Sequence, residues 1–381
     1  MFETINPPET VVPNAMMGVI FDRPSSAGDQ LEDVESESAR KAISYTMRDV
    51  ARLACVSVAT VSAVVNGKGS VSHELTRRVE EAIEALDYHP NHVARSLRVS
   101  RTLAIGMVVP DLTNLFFADV MRGAQDESSR NDLCIVLCNS NEDPVQERRY
   151  LSQLLSRRVD GILLASADST IAQFRRAWRR LPLVCIDRIP GGFTGAAVVI
   201  DNVAAAHEAT RHLIELGHRR IAILAGRLNV STGLGRLEGF RKALQEAHLP
   251  LREDYLRCGD FSFDGGYRSG LELLRLPDPP TAIFSSNNRT TLGLMRAISE
   301  QGLRCPELVS VVGFDDFDWS EMFSPRLTTI VQPSYEIGRR AVEILVGRIK
   351  SQNGELETGE EARVVLKTHL CIRESTGRPP A

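Results

Sequence analysis

Two sets of residues in this 381-residue chain have the types and spacing to do chemistry. The first lies in TMRDVARLACVSVATVSAVVN, residues 46 to 66. Thr46 with Asp49 three places on makes a capping-box start. Met47, Val50, Leu53 and Ala54 then share one apolar face, which predicts a short helix ending near Ala54. The turn Cys55-Val56 leads to Ser57, whose hydroxyl can accept from the first orphan amides of a second helix. That helix runs to about Asn66, where Gly67 stops it. Val61, Val64 and Val65 make its inward stripe; Val58, Ala59, Ser62, Ala63 and Asn66 are left outward, with Thr60 at the edge. A solvated helix face ordinarily carries Lys and Glu. A face of Ala, Ser, Thr and Asn is shaped for close approach to base edges and phosphates in a DNA major groove. On spacing alone, a helical hairpin used only for packing fits equally well.

The second set sits at the ends of apolar runs. From Thr102 the chain alternates runs such as TLAIGMVVP, VDGILLAS, LPLVCIDR, HRRIAILAG and LVSVVGFDD with helix-like segments, the pattern of parallel strands buried on both faces. The pattern occurs twice, so two doubly wound lobes are expected, near 102–200 and 201–331. QPSYEIGRRAVEILVGRI reads as a helix returning to the first lobe and RVVLKTHLCIRES as a strand returning to the second. Ligands in such sheets bind beyond the carboxyl ends of strands. That rule brings Asn114, Phe116 and Phe117, then Asp187, to a cleft from lobe one; from lobe two it brings Thr232, Arg236, Phe261, Asn287 and Asp315. Asp and Arg can each hold two vicinal hydroxyls, and aromatic faces cover the apolar side of a sugar ring. Singly, each residue could be a structural ion pair or a core aromatic; converging from five strand ends they point to a small polar ligand. Arg236 and Asp315 are the expected fork.

Directly after the helical pair comes VSHELTRRVEEAIEALDYHPNHVARSLRVS. The run VARLACVSVATVSAVVN, with Tyr88-x-Pro90-Asn91 and Val93-Ala94-Arg95-Ser96-Leu97, resembles the lac-repressor (LacI) family of transcriptional regulators, from about Thr46 to Arg373. The resemblance implies a multidomain fold: an all-α helix-turn-helix DNA-binding domain plus an α/β two-lobed effector domain like a periplasmic binding protein, with two doubly wound parallel sheets. The expected divisions are an acidic extension at 1–45, the DNA-binding domain at 46–90, and a hinge helix and linker at 91–101. An effector and dimerisation domain at 102–373 follows (lobe one 102–200 plus 333–350, lobe two 201–331 plus 363–373), and then a tail at 374–381.

The implied DNA contacts are Thr46, Met47, Ser57, Val58, Ala59, Thr60, Ser62, Ala63, Asn66, Ser72 and Tyr88, with Asn91, Ala94, Leu97 and Arg98 in the hinge. There Leu97 is the wedge pushed into the minor groove, with Arg98 beside it. A third helix over 72–87, capped by Ser72, presents Val79, Ile83 and Leu86 to the first two. The family implies a homodimer on a pseudo-palindromic double-stranded operator, a sugar or sugar derivative as effector, and a repressor's role. The sequence departs from the family pattern at Leu75, where a threonine is common, at Ala63, where arginine is common, at Leu115 for proline and at Asn288 for aspartate.

Composition fits this reading. Net charge is −4, but the acids gather in residues 1–45 (net −5), whereas residues 46–101 carry +2. Seven cysteines show no CxxC pair and no metal-ligand spacing, which predicts buried reduced thiols, no metal and a cytoplasmic location. No run of 18 apolar residues and no signal-peptide order occurs, so no membrane partner is expected. Neither GxSxG, a strand-borne GxGxxG, a P-loop nor HExxH is present, which disfavours an enzyme and gives no sign of a cofactor. A periplasmic-type sugar receptor is the alternative, but it has no use for residues 46–98.

Overall fold

The structure is a computed structural model, and it describes residues 45–65, 71–88, 101–167, 181–351 and 363–380. The chain divides into two compact units, Met1–Asn91 and His92–Ala381.

The described part of the first unit is three short helices, α1 (Met47–Leu53), α2 (Val58–Val65) and α3 (His73–Ala85). The Asp49 carboxylate accepts from both the N–H and the hydroxyl of Thr46, at 2.9 and 2.6 Å, and fixes the start of α1. Ser57 accepts from the Thr60 N–H at 3.0 Å and starts α2. The small core is Val50, Ala51, Ala54, Val61, Val79, Ala82 and Tyr88. Two expectations change here. Leu53, expected inward, is 52% exposed, and Ala51 takes the inward place, because α1 meets its neighbours on the Val50–Ala51–Ala54 side. Tyr88, expected on DNA, has its ring in this core with 6% of its surface exposed.

The second unit contains two six-stranded sheets. The first takes β1 (Ala104–Val109), β2 (Cys134–Asn139), β3 (Gly161–Leu164), β4 (Leu183–Ile186), β5 (Ala196–Ile200) and β11 (Arg363–Leu366), in the order β11-β5-β4-β3-β1-β2, all parallel. The second takes β6 (Ile221–Ala225), β7 (Leu256–Cys258), β8 (Ala282–Ser285), β9 (Ser310–Phe314), β10 (Thr328–Val331) and β12 (His369–Cys371), in the order β12-β10-β9-β8-β6-β7, with only β12 antiparallel. Each sheet reverses its strand order beside its first strand, β1 or β6, and crevices at such switch points are where ligands sit.

Seven helices of the described residues position the cleft or cover the sheets: α4 (Leu115–Arg130), α5 (Pro144–Ser156), α6 (Asn202–Glu215), α7 (Ser231–Glu246), α8 (Phe263–Leu274), α9 (Asn288–Glu300) and α10 (Ser334–Ser351), with 3-10 turns at Glu253–Tyr255 and Asp318–Glu321. Helices α4 and α10 pack closely through glycine. A Cβ on Gly338 would stand 1.8 Å from the Val120 carbonyl oxygen, and one on Gly123 2.0 Å from that of Tyr335. Strand cores such as Ile105, Met107, Leu163, Val184 and Val198 are nearly or wholly buried, each contributing about 1.5 to 3 kcal/mol.

Three expectations are corrected. The expected return strand in RVVLKTHLCIRES is two strands: β11 joins the first sheet, parallel to β5, and only β12 joins the second. One apolar run hid a break at Lys367–Thr368 that lets the chain cross between lobes. Of the expected tail at 374–381, the described residues 374–380 are built into lobe two, since Ser375 is fully buried, donates to the Val311 carbonyl at 2.7 Å and accepts from the Thr328 N–H at 2.8 Å. The thiols are mostly not buried: all seven are free, Cys185 is buried, and Cys55, Cys134 and Cys258 are exposed. Cys134 and Cys258 lie on β2 and β7, which are edge strands.

Ser375→Ala removes an acceptor from a buried amide and is expected to cost about 1 to 3 kcal/mol. Urea unfolding of wild type and variant measures it; an unchanged midpoint contradicts the assignment of Ser375 to the core of lobe two.

Candidate functional site

In the helical unit, Ser57, Val58 and Ala59 are exposed at the start of α2, Val58 by 43%, and Thr60, Ser62 and Ala63 are half-buried. Thr46 and Ser72 are exposed and Met47 is half-buried. Ser72 caps α3 by accepting from the Leu75 N–H at 3.5 Å. The α2 face is thus small, neutral and open, as its sequence requires. The turn before it is held by Arg78, which donates to the carbonyls of Ala54 and Cys55 at 2.5 and 3.2 Å. Asn66, Asn91, Ala94, Leu97 and Arg98 lie outside the described residues.

All nine expected ligand residues of the second unit line one cleft with a cavity volume of about 260 Å³. Asn114 caps α4, accepting from the Phe116 N–H at 3.0 Å, and so places Phe116 and Phe117 at the end of β1, their rings edge to face with centroids 5.0 Å apart. Asp187 follows β4, Thr232 and Arg236 lie in the first turns of α7, Phe261 follows β7, Asn287 caps α9 and Asp315 follows β9. Asp187, Phe261 and Asp315 have φ of 62°, 63° and 75°. Non-glycine residues enter this region rarely and at a cost of about 1 to 3 kcal/mol, which tertiary contacts must offset. The Phe261 ring lies against Gly226, where any Cβ would overlap it at 1.7 Å.

Five carboxylates (Asp111, Glu142, Asp187, Asp260, Asp315) and four guanidiniums (Arg188, Arg227, Arg236, Arg289) border the cleft, a nearly balanced set. Burial pushes the Asp187 carboxyl up to about 6, against the pull of Arg188 and Arg236 and with the push of Asp315 and Glu142. Burial also raises Asp315, against Arg236, a donated hydrogen bond from Gln332 and the Asn288 N–H. Arg236 donates to the Asn202 side chain at 2.9 Å and to the Ser286 carbonyl, and its guanidinium lies 3.6 Å from the Phe314 ring centroid. Arg236 and Asp315 share the cleft but form no direct ion pair among the described residues. Arg236 is thus held by the fold while it lines the cleft.

The sequence reading did not name Glu142, Arg188, Arg227 and Gln332. Arg188 holds Glu142 in a two-point pair at 2.8 and 2.8 Å, and Arg227 approaches the same carboxylate at 3.9 Å. Glu142 follows β2 and Gln332 follows β10, so the strand-end rule reaches both once it is carried to every strand. Buried side-chain polar atoms without a hydrogen-bond partner gather here: Arg188 Nε, Arg227 Nε, Gln332 Oε1, and beside them Ser286 Oγ and Asn288 Oδ1. Buried polar atoms of this kind are ordinarily satisfied by water or ligand. Chemically the cleft can hold a compact, uncharged, hydroxyl-bearing molecule from both sides. No cluster of three potential metal-ligating side chains occurs among the described residues, and none of their helices is long and apolar enough to cross a membrane.

Comparison with known proteins places this geometry. Residues 46–91 match the bacterial regulatory proteins of the lacI family, and residues 102–374 match the periplasmic binding proteins and sugar binding domain of the LacI family. The HTH-type transcriptional repressor PurR of Aliivibrio salmonicida is 38% identical over 313 residues, covering 81% of this chain and 94% of that one. The lac repressor dimer bound to operator and the anti-inducer ONPF superposes with a TM-score of 0.78 at 28% identity, over 88% of this chain and 99% of that one. A LacI family transcriptional regulator from Enterococcus faecium with bound ribose gives a TM-score of 0.63 at 31% identity, over 72% and 98%. With both of its units matched, the chain belongs to the LacI family of bacterial transcriptional regulators.

Proposed function

We propose that this protein is a homodimeric, cytoplasmic transcriptional repressor, not an enzyme, whose affinity for a pseudo-palindromic operator is set by a monosaccharide of the ribose class bound between its two lobes. Helix α2 reads a half-site in the major groove through Val58 and Ala59 by apolar fit, supported by the short polar groups Ser57, Thr60 and Ser62. The effector touches both lobes, so it favours one lobe arrangement over another and thereby couples to DNA affinity.

The observation that carries the ligand class is the pair of buried carboxylates, Asp187 and Asp315, set among guanidiniums in a cleft of about 260 Å³. A hydroxyl both donates and accepts, so adjacent hydroxyls can satisfy carboxylate and guanidinium at once. The volume is below the roughly 300 to 1,000 Å³ of pockets for drug-sized ligands and suits a single ring. The E. faecium regulator solved with ribose supports the same class. A nucleobase, the alternative raised by the similarity to PurR, leaves two carboxylates competing for the few N–H donors on its edge.

Operator recovered by selection from random DNA gives the direct test. Its affinity, read by fluorescence anisotropy, is expected to change at least about fivefold with saturating D-ribose, a coupling of the usual size. Hypoxanthine acting where ribose does not would replace the sugar reading. The selected half-site is expected to lack a guanine read by α2, because no long donor stands on VATVSAVV. A guanine whose loss costs about 1 to 3 kcal/mol, and whose preference disappears only on mutating α2, contradicts this.

The cleft also predicts a pH dependence. The Asp187 carboxyl is raised from 3.8 to about 6, so its contribution to stability is full below pH 3.8 and is lost as pH rises through about 6. Asp187→Asn is expected to flatten that decline in the sugar-free protein, measured as urea midpoint against pH. Parallel curves for the two proteins would contradict it.

A further inference from the structure

Two helix N-termini meet across the cleft, that of α4 from lobe one and that of α9 from lobe two. Asn288, the first residue of α9, donates from Nδ2 to Asn114 Oδ1 at 2.8 Å. The same oxygen accepts from the Phe116 N–H at 3.0 Å. Asn114 and Asn288 are 9% and 2% exposed, so water competes little with the bond. The Asn288 backbone N–H reaches Asp315 at 3.4 Å, and its Oδ1 is buried without a hydrogen-bond partner. Beside it Arg289 donates to Thr113 at 2.9 Å, a second crossing between the same two chain segments.

The chemistry of this contact is selective. Asn114 Oδ1, fixed in place by the Phe116 N–H, takes a second bond from a donor at position 288. Asparagine supplies one. An ionised aspartate has no donor for that oxygen, and would bring a negative charge up to it and close to Asp315. We infer that Asn288 is the latch between the lobes. By holding Asn114 it positions the start of α4, with Phe116 and Phe117, over the bound sugar, and it sets how long the sugar stays. Asn288 is thus a positioning residue. For its ligand, the inference rests on the sugar reading above.

The test uses the full chain with D-ribose as probe. Association and dissociation rates are measured by surface plasmon resonance for wild type, Asn288→Asp and Asn288→Ala, alongside thermal melting. A latch predicts that dissociation quickens about tenfold or more in the aspartate variant while association stays within about twofold, since loss of a closing contact acts on the exit rate. A residue that only supports the fold would lower the melting temperature and leave the dissociation rate unchanged, and that result overturns the inference; the alanine variant is read in the same way if the aspartate variant does not fold. If wild type does not bind ribose, the sugar reading fails and the latch is decided separately by amide hydrogen exchange. Exchange about tenfold faster at Phe116 and Phe117 in the variants supports it, and equal exchange overturns it.

Discussion

The second unit is built around charge taken out of water. Asp187, Arg188, Arg236 and Asp315 are 6%, 5%, 4% and 4% exposed, and an ion moved into such surroundings costs several kcal/mol unless partners compensate. The compensation is incomplete within the chain. Glu142 accepts from both terminal nitrogens of Arg188 but leaves its Nε without a hydrogen bond, 3.5 Å from Asp187; Arg236 is held by Asn202 and Ser286, and burial raises both aspartates, Asp187 to about 6. The missing stabilisation is available to a molecule that bridges carboxylate and guanidinium. Such a molecule gains its affinity by completing a network the fold leaves unfinished.

The architecture follows from where those groups must stand. Two sheets with the same internal strand order, 2-1-3-4-5 and 7-6-8-9-10, bring their carboxyl ends to one crevice. Each contributes an asparagine-capped helix, α4 at Asn114 and α9 at Asn287, so short side chains rather than long ones fix the approach of the aromatic rings and of the interlobe contact. The left-handed backbone at Asp187, Phe261 and Asp315 turns these residues inward at the moment the strand ends. Glycines serve the same end: Gly226 leaves room for the Phe261 ring, and Gly123 and Gly338 let α10 lie on α4.

Much of this was legible in the sequence because a single rule acts twice. Runs such as GILL and LVCI have no polar face, so they had to be central strands, and the residues after them had to surround the crevice. All nine residues named on that ground line it. Pairings made between distant segments were less legible. Glu142 stands past the end of β2, where the strand-end rule could have found it, but its partner Arg188 comes from 46 residues away and no local pattern announces that pair. RVVL and HLC read as one strand because a crossover between lobes leaves no apolar signature, and Ser375 read as tail because its value lies in two backbone partners on β9 and β10. In the helical unit, Leu53 and Ala51 exchanged places because an i, i+3 pattern over two turns leaves the direction of the buried face open by one residue.

The central claim is that hydroxyl groups of the effector complete the buried carboxylate network. Titration calorimetry of D-ribose into the full chain near pH 6, in two buffers of different ionisation heat, tests this most directly. Donors from the sugar lower the Asp187 carboxyl from about 6, so binding is predicted to release a measurable fraction of a proton, and Asp187→Asn to remove that release. Ribose bound with the same heat in both buffers, and no proton exchanged by wild type, would contradict the account.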